Sequence, residues 1–201
     1  MARFDQGKKE VRRIYDLMVG SYDFQYREEQ VEKYRVVLNI LKLGRYDSVL
    51  DVGCGTGLFI QMASASTFLT VGVDTSRRML EKAKVRCGAR ENVCLVCGDA
   101  DHLPFQKESF DRVYAISLIQ NILNPKQTIQ ELIRVARPDS KIVITAHRRI
   151  FTKQRFTRLL EEADLNVEVM VDSGSKDRLA VCTRIAYNHK NQQRSTALQL
   201  M

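Results

Sequence analysis

Residues 48–57 read Ser-Val-Leu-Asp-Val-Gly-Cys-Gly-Thr-Gly, and this stretch decides the fold. Its first half, Ser48–Val52, is short, apolar and β-branched, which is typical of a buried parallel strand. Glycines at alternate positions follow at once, and the apolar residues within 58–62 then indicate the start of a helix. A strand, a tight glycine turn and a helix N-terminus present free backbone N–H groups to a ligand. The stretch therefore predicts a site for a small ligand.

A second apolar strand, residues 69–73, ends in Asp74, twenty-three residues after Asp51. In a βαβ unit, an acidic residue at about this distance accepts hydrogen bonds from ribose hydroxyls. The glycine turn and Asp74 together predict a cofactor that contains a nucleoside.

Polar residues follow each of the later predicted strands. Strand 93–96 leads to Gly98-Asp99-Ala100, and strand 110–116 leads to residues 117–121, Ser-Leu-Ile-Gln-Asn. Strand 141–146 leads to His147-Arg148-Arg149. Since ligands bind at the carboxyl edge of a doubly wound sheet, we expect these residues near the glycine turn.

The segment from Asp51 to Gly57 resembles the Asp-x-Gly-x-Gly-x-Gly loop of class I S-adenosylmethionine-dependent methyltransferases. Later segments are similar to the same family in the right order, and the likeness extends over residues 11–187. These segments are Gly98-Asp99-Ala100, Leu103-Pro104-Phe105, Ser109-Phe110-Asp111 and residues 134–144.

The resemblance implies an α/β fold with a doubly wound, mostly parallel seven-stranded sheet in three α/β/α layers. An antiparallel C-terminal hairpin and an N-terminal helical cap complete it. It also implies that S-adenosyl-L-methionine is the cofactor, and that methyl transfer is an in-line displacement. The implied cofactor-binding residues are Asp51, Gly53, Cys54, Gly55, Gly57, Asp74, Thr75, Asp99, Ala100 and Ser117.

The acceptor is less well specified by the sequence. Methyltransferases that act on exocyclic amines of bases often carry Asn/Asp-Pro-Pro-Tyr/Phe where this chain has residues 117–121. The chain is more similar to the type 11, quinone-methyltransferase-like group and to certain RNA-modifying relatives, so both a small molecule and RNA remain open. The candidate acceptor-pocket residues are Tyr22, Gln120, Asn121, His147 and Arg148.

Two of these candidates have a second interpretation. Tyr22 is either part of the acceptor wall or an anchor for a loop. His147 is the best placed general base, because imidazole titrates near neutrality, but a lone histidine in a basic loop is also typical of an ordinary surface residue. No dedicated catalytic group is otherwise evident.

The chain is expected to form one domain, residues 1–187, followed by a basic, disordered tail, 188–201. A helical cap, 1–44, precedes a Rossmann-like core, 45–187. The cap pattern predicts a helix that includes residues 11–18 and a second one over about 27–43, interrupted at Gly20-Ser21. The turn Pro138-Asp139-Ser140 is expected to precede the fifth strand.

Composition narrows the class of protein. The content of 44% hydrophobic and 28% charged residues is ordinary for a globular protein. The chain lacks a long apolar run and an N-terminal secretory pattern, which predicts a cytoplasmic protein without a membrane span. Of the five cysteines, Cys94 and Cys97 form a Cys-x-x-Cys pair, but no second Cys or His pair accompanies it, which predicts thiols and no metal site. The formal charge of +8 is compatible with an RNA partner or with an ordinary soluble surface.

Two other functions stay open at this point. A nicotinamide-dependent oxidoreductase uses a similar turn, but it typically has Gly-x-Gly-x-x-Gly, and here the third glycine comes one position early. A non-catalytic, RNA-associated scaffold is the other alternative. The sequence leaves open whether the protein needs a small activator subunit, and whether it is a monomer or a homodimer.

Overall fold

Seven strands and six α-helices lie in the part of the chain that the structure, a computed structural model, describes: residues 2–172 and 176–185. The strands are β1 Ser48–Val52, β2 Leu69–Asp74, β3 Val93–Cys97, β4 Phe110–Ala115, β5 Ala136–His147, β6 Leu165–Asp172 and β7 Asp177–Arg184. The helices are α1 Ala2–Met18, α2 Tyr22–Ile40, α3 Leu58–Ala63, α4 Arg77–Cys87, α5 Pro125–Val135 and α6 Lys153–Glu161. A short 3₁₀ turn, Ile119–Asn121, follows β4.

The strands form one sheet in the order β3-β2-β1-β4-β5-β7-β6. The first five strands pair in parallel, whereas β7 runs antiparallel to both β5 and β6. The strand order reverses at β1, which is buried at every position because it lies in the middle of the sheet. The predicted doubly wound sheet and its antiparallel C-terminal hairpin are confirmed.

The second cap helix differs from the prediction in its bounds. Helix α2 begins at Tyr22 and ends at Ile40, earlier than the predicted 27–43, while the break at Gly20-Ser21 is present. The first turn of α2 forms early because Asp23 within it bonds to Thr56 and Arg86 of the core. The cap is therefore attached to the sheet at the glycine turn.

The predicted turn at Pro138-Asp139-Ser140 is wrong, because these residues lie within β5. Phe110 of β4 pairs with Ala136, and Arg112 pairs with Lys141, so the pairing register shifts between them. An irregularity inside the strand accommodates the extra residues.

No helix within residues 2–172 and 176–185 is long and apolar enough to cross a membrane. The predicted tail, 188–201, and residues 173–175 of the turn between β6 and β7 lie outside the described residues.

Candidate functional site

The carboxyl ends of β1, β2 and β3 border a cavity of about 360 Å³, which we call the first cavity. The sheet contributes one wall, formed by Gly53, Cys54, Gly55, Asp74, Thr75, Asp99 and Ala100. The cap helices contribute the opposite wall, which includes Lys8, Arg12, Tyr15, Tyr22 and Arg27. The sheet edge at which the sequence predicts ligand binding is therefore concave and partly covered.

The glycine turn after β1 is held in shape by β2 and by its own positive φ angles. The N–H of Gly53 donates to the carbonyl of Val73 at 2.8 Å, and φ is +77° at Gly53, +52° at Gly55 and +76° at Gly57. A Cβ atom at Gly57 would lie 2.7 Å from that of Ala83, whereas one at Gly55 would meet no atom within 4 Å. Gly57 thus allows α3 and α4 to pack closely, and Gly55 leaves open space beside the cavity.

Asp74 lies in the first cavity and is fixed by backbone groups. Its Oδ2 accepts the N–H of Gly55 at 2.9 Å, and its Oδ1 accepts the N–H of Ser76 at 2.8 Å. Burial raises the pKa of Asp74, and these backbone hydrogen bonds oppose the rise. A carboxylate has about four lone-pair positions, so Asp74 can still accept hydrogen bonds from a ligand.

Asp51 lies behind the glycine turn and does not line the first cavity. Only 2% of its surface is exposed. Burial, assisted by the nearby Asp74, raises the pKa of Asp51 to about 8. The Asp51 carboxyl therefore holds its proton over most of the neutral range.

Asp99 and Asp101 both pair with Lys8 of α1. The Lys8 Nζ lies 2.7 Å from Asp99 Oδ2 and 2.5 Å from Asp101 Oδ2. Partial burial opposes ionisation of Asp99, but bonds from Lys8 and from the Asp101 N–H outweigh it and hold the pKa of Asp99 below its usual range. The Asp101 carboxylate also accepts a hydrogen bond from Thr128. These bonds connect the first cap helix to the floor of the cavity.

Asp23 connects the second cap helix to the glycine turn. Its Oδ1 accepts the Thr56 hydroxyl at 2.7 Å, and its Oδ2 accepts Arg86 Nη2 at 2.5 Å. The neighbouring Tyr22 is consequently held beside the turn, and burial raises the pKa of its hydroxyl, so Tyr22 remains protonated.

A second cavity of about 370 Å³ adjoins the first. The two share six lining residues, which are Val11, Tyr15, Tyr22, Gln30, Ser117 and Asn121. The remaining lining residues of the second cavity are Ile14, Met18, Tyr26, Glu29, Lys33, Gln120, His147, Lys176 and Asp177. Two ligand-sized spaces therefore meet between the cap and the carboxyl end of β4.

Four polar residues bond to one another at the base of the second cavity. The Lys33 Nζ lies 2.6 Å from Asp177 Oδ2, and both side chains are almost fully buried. Ser117 has a φ of +56°; its hydroxyl accepts from Lys33 at 2.6 Å and donates to Asp177 at 2.9 Å. Its N–H donates to the Thr145 hydroxyl at 2.7 Å. This network fixes the backbone where β4 ends.

The carbonyl of Ser117 extends these bonds to the cap. It accepts from Gln120 Nε2 at 3.0 Å and from Asn121 Nδ2 at 3.2 Å. Asn121 Nδ2 also donates to the hydroxyl of Tyr15 at 2.8 Å. The boundary between the two cavities is therefore bonded to β4, to the 3₁₀ turn and to α1.

His147 lines the second cavity, but one of its ring nitrogens is engaged. Its Nδ1 accepts the N–H of Arg149 at 3.2 Å. A neutral imidazole with Nδ1 as an acceptor carries its proton on Nε2, so Nε2 is a donor rather than a base. Arg148 lines neither cavity and lies 3.6 Å from Asp172.

The structure brings most of the predicted site residues together. Eight predicted cofactor residues line the first cavity: Gly53, Cys54, Gly55, Asp74, Thr75, Asp99, Ala100 and Ser117. Asp51 and Gly57 lie outside its lining. Four predicted acceptor residues line the second cavity: Tyr22, Gln120, Asn121 and His147.

The sequence interpretation did not identify the polar face of α2. Gln30, Lys33 and Val37 are the buried residues of this helix, and their spacing places them on one face. The helical spacing of Gln30 and Lys33 relative to Val37 was the sequence signal that could have predicted a buried polar face. Lys8 and Asp101 gave no comparable signal, because their pairing depends on how α1 crosses the sheet.

Within the described residues, no group of three or more His, Cys, Asp or Glu side chains could hold a metal ion. All five cysteines are free thiols, and Cys94 and Cys97 are exposed on β3.

Comparison with known proteins shows which proteins this chain resembles. Residues 50–144 match a family described as Methyltransferase domain. The chain is 33% identical over 140 residues to malonyl-[acyl-carrier protein] O-methyltransferase of Marinomonas sp. (strain MWYL1), covering 69% of this chain and 52% of that protein. It is 32% identical over 151 residues to demethylmenaquinone methyltransferase of Staphylococcus aureus (strain MRSA252), covering 71% and 62%. The chain thus spans little more than half the length of these curated relatives.

Solved structures share the fold. A S-adenosylmethionine-dependent methyltransferase from Aquifex aeolicus has a TM-score of 0.74 at 20% identity, covering 84% of this chain and 98% of that one. A Haloferax volcanii complex between the Trm112 methyltransferase activator and a methyltransferase has a TM-score of 0.77 at 16% identity, covering 86% and 98%.

Proposed function

We propose that this chain, which carries a class I S-adenosylmethionine-dependent methyltransferase domain, transfers a methyl group to an acceptor bound in the second cavity. The observation that carries the proposal is the contact between two cavities, one bordered by the glycine turn and Asp74, the other by the end of β4. A transfer reaction needs donor and acceptor in adjoining spaces that exclude water.

The first cavity suits S-adenosyl-L-methionine by its shape and its hydrogen-bonding groups. Gly55 leaves space for close approach of a ligand to the backbone, as its missing Cβ would meet nothing within 4 Å. Asp74 would accept hydrogen bonds from the ribose hydroxyls. Asp99, whose Oδ2 already accepts from Lys8, would use a remaining lone pair to accept a hydrogen bond from the amino group of the base. Behind the turn, Asp51 would favour the positive end of the ligand when ionised.

When bound, the cofactor would supply an electrophilic methyl group on a sulfonium, with the neutral thioether as the leaving group. The chain's own residues orient the acceptor and exclude water at the shared boundary. Tyr22 and Ser117 lie on that boundary, and the network below Ser117 keeps it rigid. We assign no general base, because the Nδ1 of His147 is already an acceptor.

We propose a small molecule rather than RNA as the acceptor. One of the two curated relatives is named for malonyl-[acyl-carrier protein] and the other for demethylmenaquinone, and neither of these substrates is a nucleic acid. The second cavity is also of a size that suits a small ligand. Arg148 and Arg178, two basic side chains on this side of the sheet edge, both pair with Asp172.

Other features stay predictions. These are the single domain over 1–187, the cytoplasmic location and the oligomeric state. An activator subunit is a partner to test first, because one solved neighbour is a complex with a methyltransferase activator.

The first test is equilibrium binding by calorimetry. S-adenosylhomocysteine should bind and raise the melting temperature, and NAD should do neither. Transfer of label from S-adenosylmethionine to a cell extract, separated into RNA, protein and small-molecule fractions, then identifies the acceptor class. The small-molecule fraction should carry the label. Binding without label in any fraction would favour a scaffold, and binding of NAD instead would favour an oxidoreductase.

A further inference from the structure

The charges around the second cavity balance. Lys33 lies 2.6 Å from Asp177, and Lys176 lies 3.1 Å from Glu29. These four side chains are the Lys, Asp and Glu residues among the cavity's lining residues. Since each cation already faces a carboxylate, the cavity offers no net charge to a ligand, and a charged ligand would lose hydration there without a matching partner.

Two glutamines that line the same cavity each carry a buried amide oxygen that has no hydrogen-bond partner among the described residues. These oxygens are the Oε1 atoms of Gln30 and Gln120. Gln30 is only 7% exposed and lines both cavities, and Gln120 lines the second. Rotation about the last bond of a glutamine side chain is easy, so Gln30 can turn its oxygen toward a ligand. Gln120 can do the same when its Nε2 gives up the bond to the Ser117 carbonyl. A buried hydrogen-bond acceptor without a partner is uncommon in proteins, and a ligand that supplies the missing donor is one explanation.

Aromatic rings form another part of the wall. The ring centroid of Tyr22 lies 6.2 Å from that of Tyr15 and 5.1 Å from that of Tyr26. Burial raises the pKa of Tyr15 and of Tyr22, so their hydroxyls stay neutral. Aliphatic side chains of α1, Val11, Ile14 and Met18, complete this side. Tilted aromatic rings beside aliphatic groups are suited to packing against a planar ring.

From these observations we propose that the second cavity binds an uncharged, ring-bearing small molecule whose hydroxyl or amino hydrogens are donated to Gln30 and Gln120. This inference rests on the proposed function, because it identifies the class of acceptor. A site built around an unmet hydrogen-bond acceptor discriminates strongly against analogues that lack the donor. Gln30 is then a specificity-determining residue at the boundary with the cofactor.

The test uses three ring compounds of similar size and ligand-observed NMR titration. Resorcinol is uncharged and has two donors, 1,3-dimethoxybenzene has the same ring without donors, and benzoate is an anion. Each is titrated into the full chain with and without S-adenosylhomocysteine, whose own binding is measured by calorimetry. We expect the Kd of resorcinol to be lower than that of either analogue by about tenfold or more.

Variants assign the preference to the two glutamines. Gln30→Leu and Gln120→Leu should each reduce the preference for resorcinol severalfold, and the double variant should abolish it. The matched control is Gln25→Leu, because Gln25 is exposed on the same helix and lines neither cavity. Gln30→Leu should keep or raise the melting temperature, since it removes a buried oxygen that has no partner.

Each result decides the inference. If S-adenosylhomocysteine binds but the three probes bind equally, benzoate binds best or none binds, the inference is wrong and the proposed function stands. A preference for resorcinol that survives both glutamine substitutions also overturns it. If S-adenosylhomocysteine does not bind, the proposed function fails and the acceptor assignment fails with it.

Discussion

The two cavities are of similar size and share a wall, but they are built in different ways. The sheet wall of the first cavity consists of residues that directly follow β1, β2 and β3, so each belongs to a short local pattern. The base of the second cavity joins Lys33, Ser117 and Asp177, which belong to distant parts of the sequence. The wall that we propose for the cofactor is thus specified by local sequence, and the base of the cavity that we propose for the acceptor is specified by tertiary packing.

The largest expected effect concerns the base of the second cavity. Lys33→Met leaves the buried Asp177 carboxylate without its cation, so the free energy of unfolding should fall by about 3–5 kcal/mol in urea denaturation. The double variant Lys33→Met/Asp177→Leu should recover most of this loss, because no buried charge remains. Lys141→Met is the matched control; its partly exposed pair with Glu168 should contribute less than about 1 kcal/mol. If Lys33→Met and Lys141→Met lower the free energy of unfolding equally, the claim that a buried ion pair stabilises the base of the second cavity is wrong.

The next effect separates the two cavities by ligand binding. Asp74→Ala removes the carboxylate that we expect to hold the ribose, so the Kd for S-adenosylhomocysteine should rise about 100-fold, or about 2.7 kcal/mol. Gln120→Leu changes only the second cavity and should leave this Kd unchanged within about twofold. Calorimetry measures both. If Asp74→Ala binds as tightly as the parent chain, the nucleoside does not lie where we propose.

A smaller effect concerns pH. Because the folded pKa of Asp51 is raised to about 8, the folded chain binds one proton more than the unfolded chain between roughly pH 4 and 8. The contribution of Asp51 to stability therefore falls as pH rises through this window and levels off above pH 8. Relative to the parent chain, Asp51→Asn should become more stable by about 2 kcal/mol between pH 6 and pH 8, measured by urea denaturation at both pH values. Parallel pH dependence of the two proteins would mean that Asp51 is ionised throughout.

The smallest expected effect concerns His147. With Nδ1 accepting the Arg149 N–H, its role as a base is disfavoured, so His147→Ala should keep label transfer within about threefold from pH 6 to 9. Labelled cell extract supplies the assay. A loss of about 100-fold in label transfer within this pH range would restore His147 as the base.

Local patterns predicted the individual strands, the glycine turn and Asp74, whereas the seven-stranded sheet and the full set of cofactor-binding residues were implied by the family resemblance. Alternating glycines after an apolar strand, followed by an acid one strand later, depend on residues that are adjacent in the chain. The bounds of α2 were wrong because Asp23 forms bonds to Thr56 and Arg86 that no local pattern reports. Pairing of Lys33 with Asp177 depends on how α2 crosses the sheet and on the pairing of β5 with β7, where His147 lies opposite Asp177.

The most direct measurement is a crystal structure of the full chain with S-adenosylhomocysteine. Our account predicts that its ribose hydroxyls bond to Asp74, that its base lies beside Asp99, and that its sulfur lies at the boundary formed by Tyr22 and Ser117, facing the second cavity. A ligand whose ribose lies away from Asp74, or whose sulfur faces away from that boundary, would contradict the claim that the two cavities hold donor and acceptor.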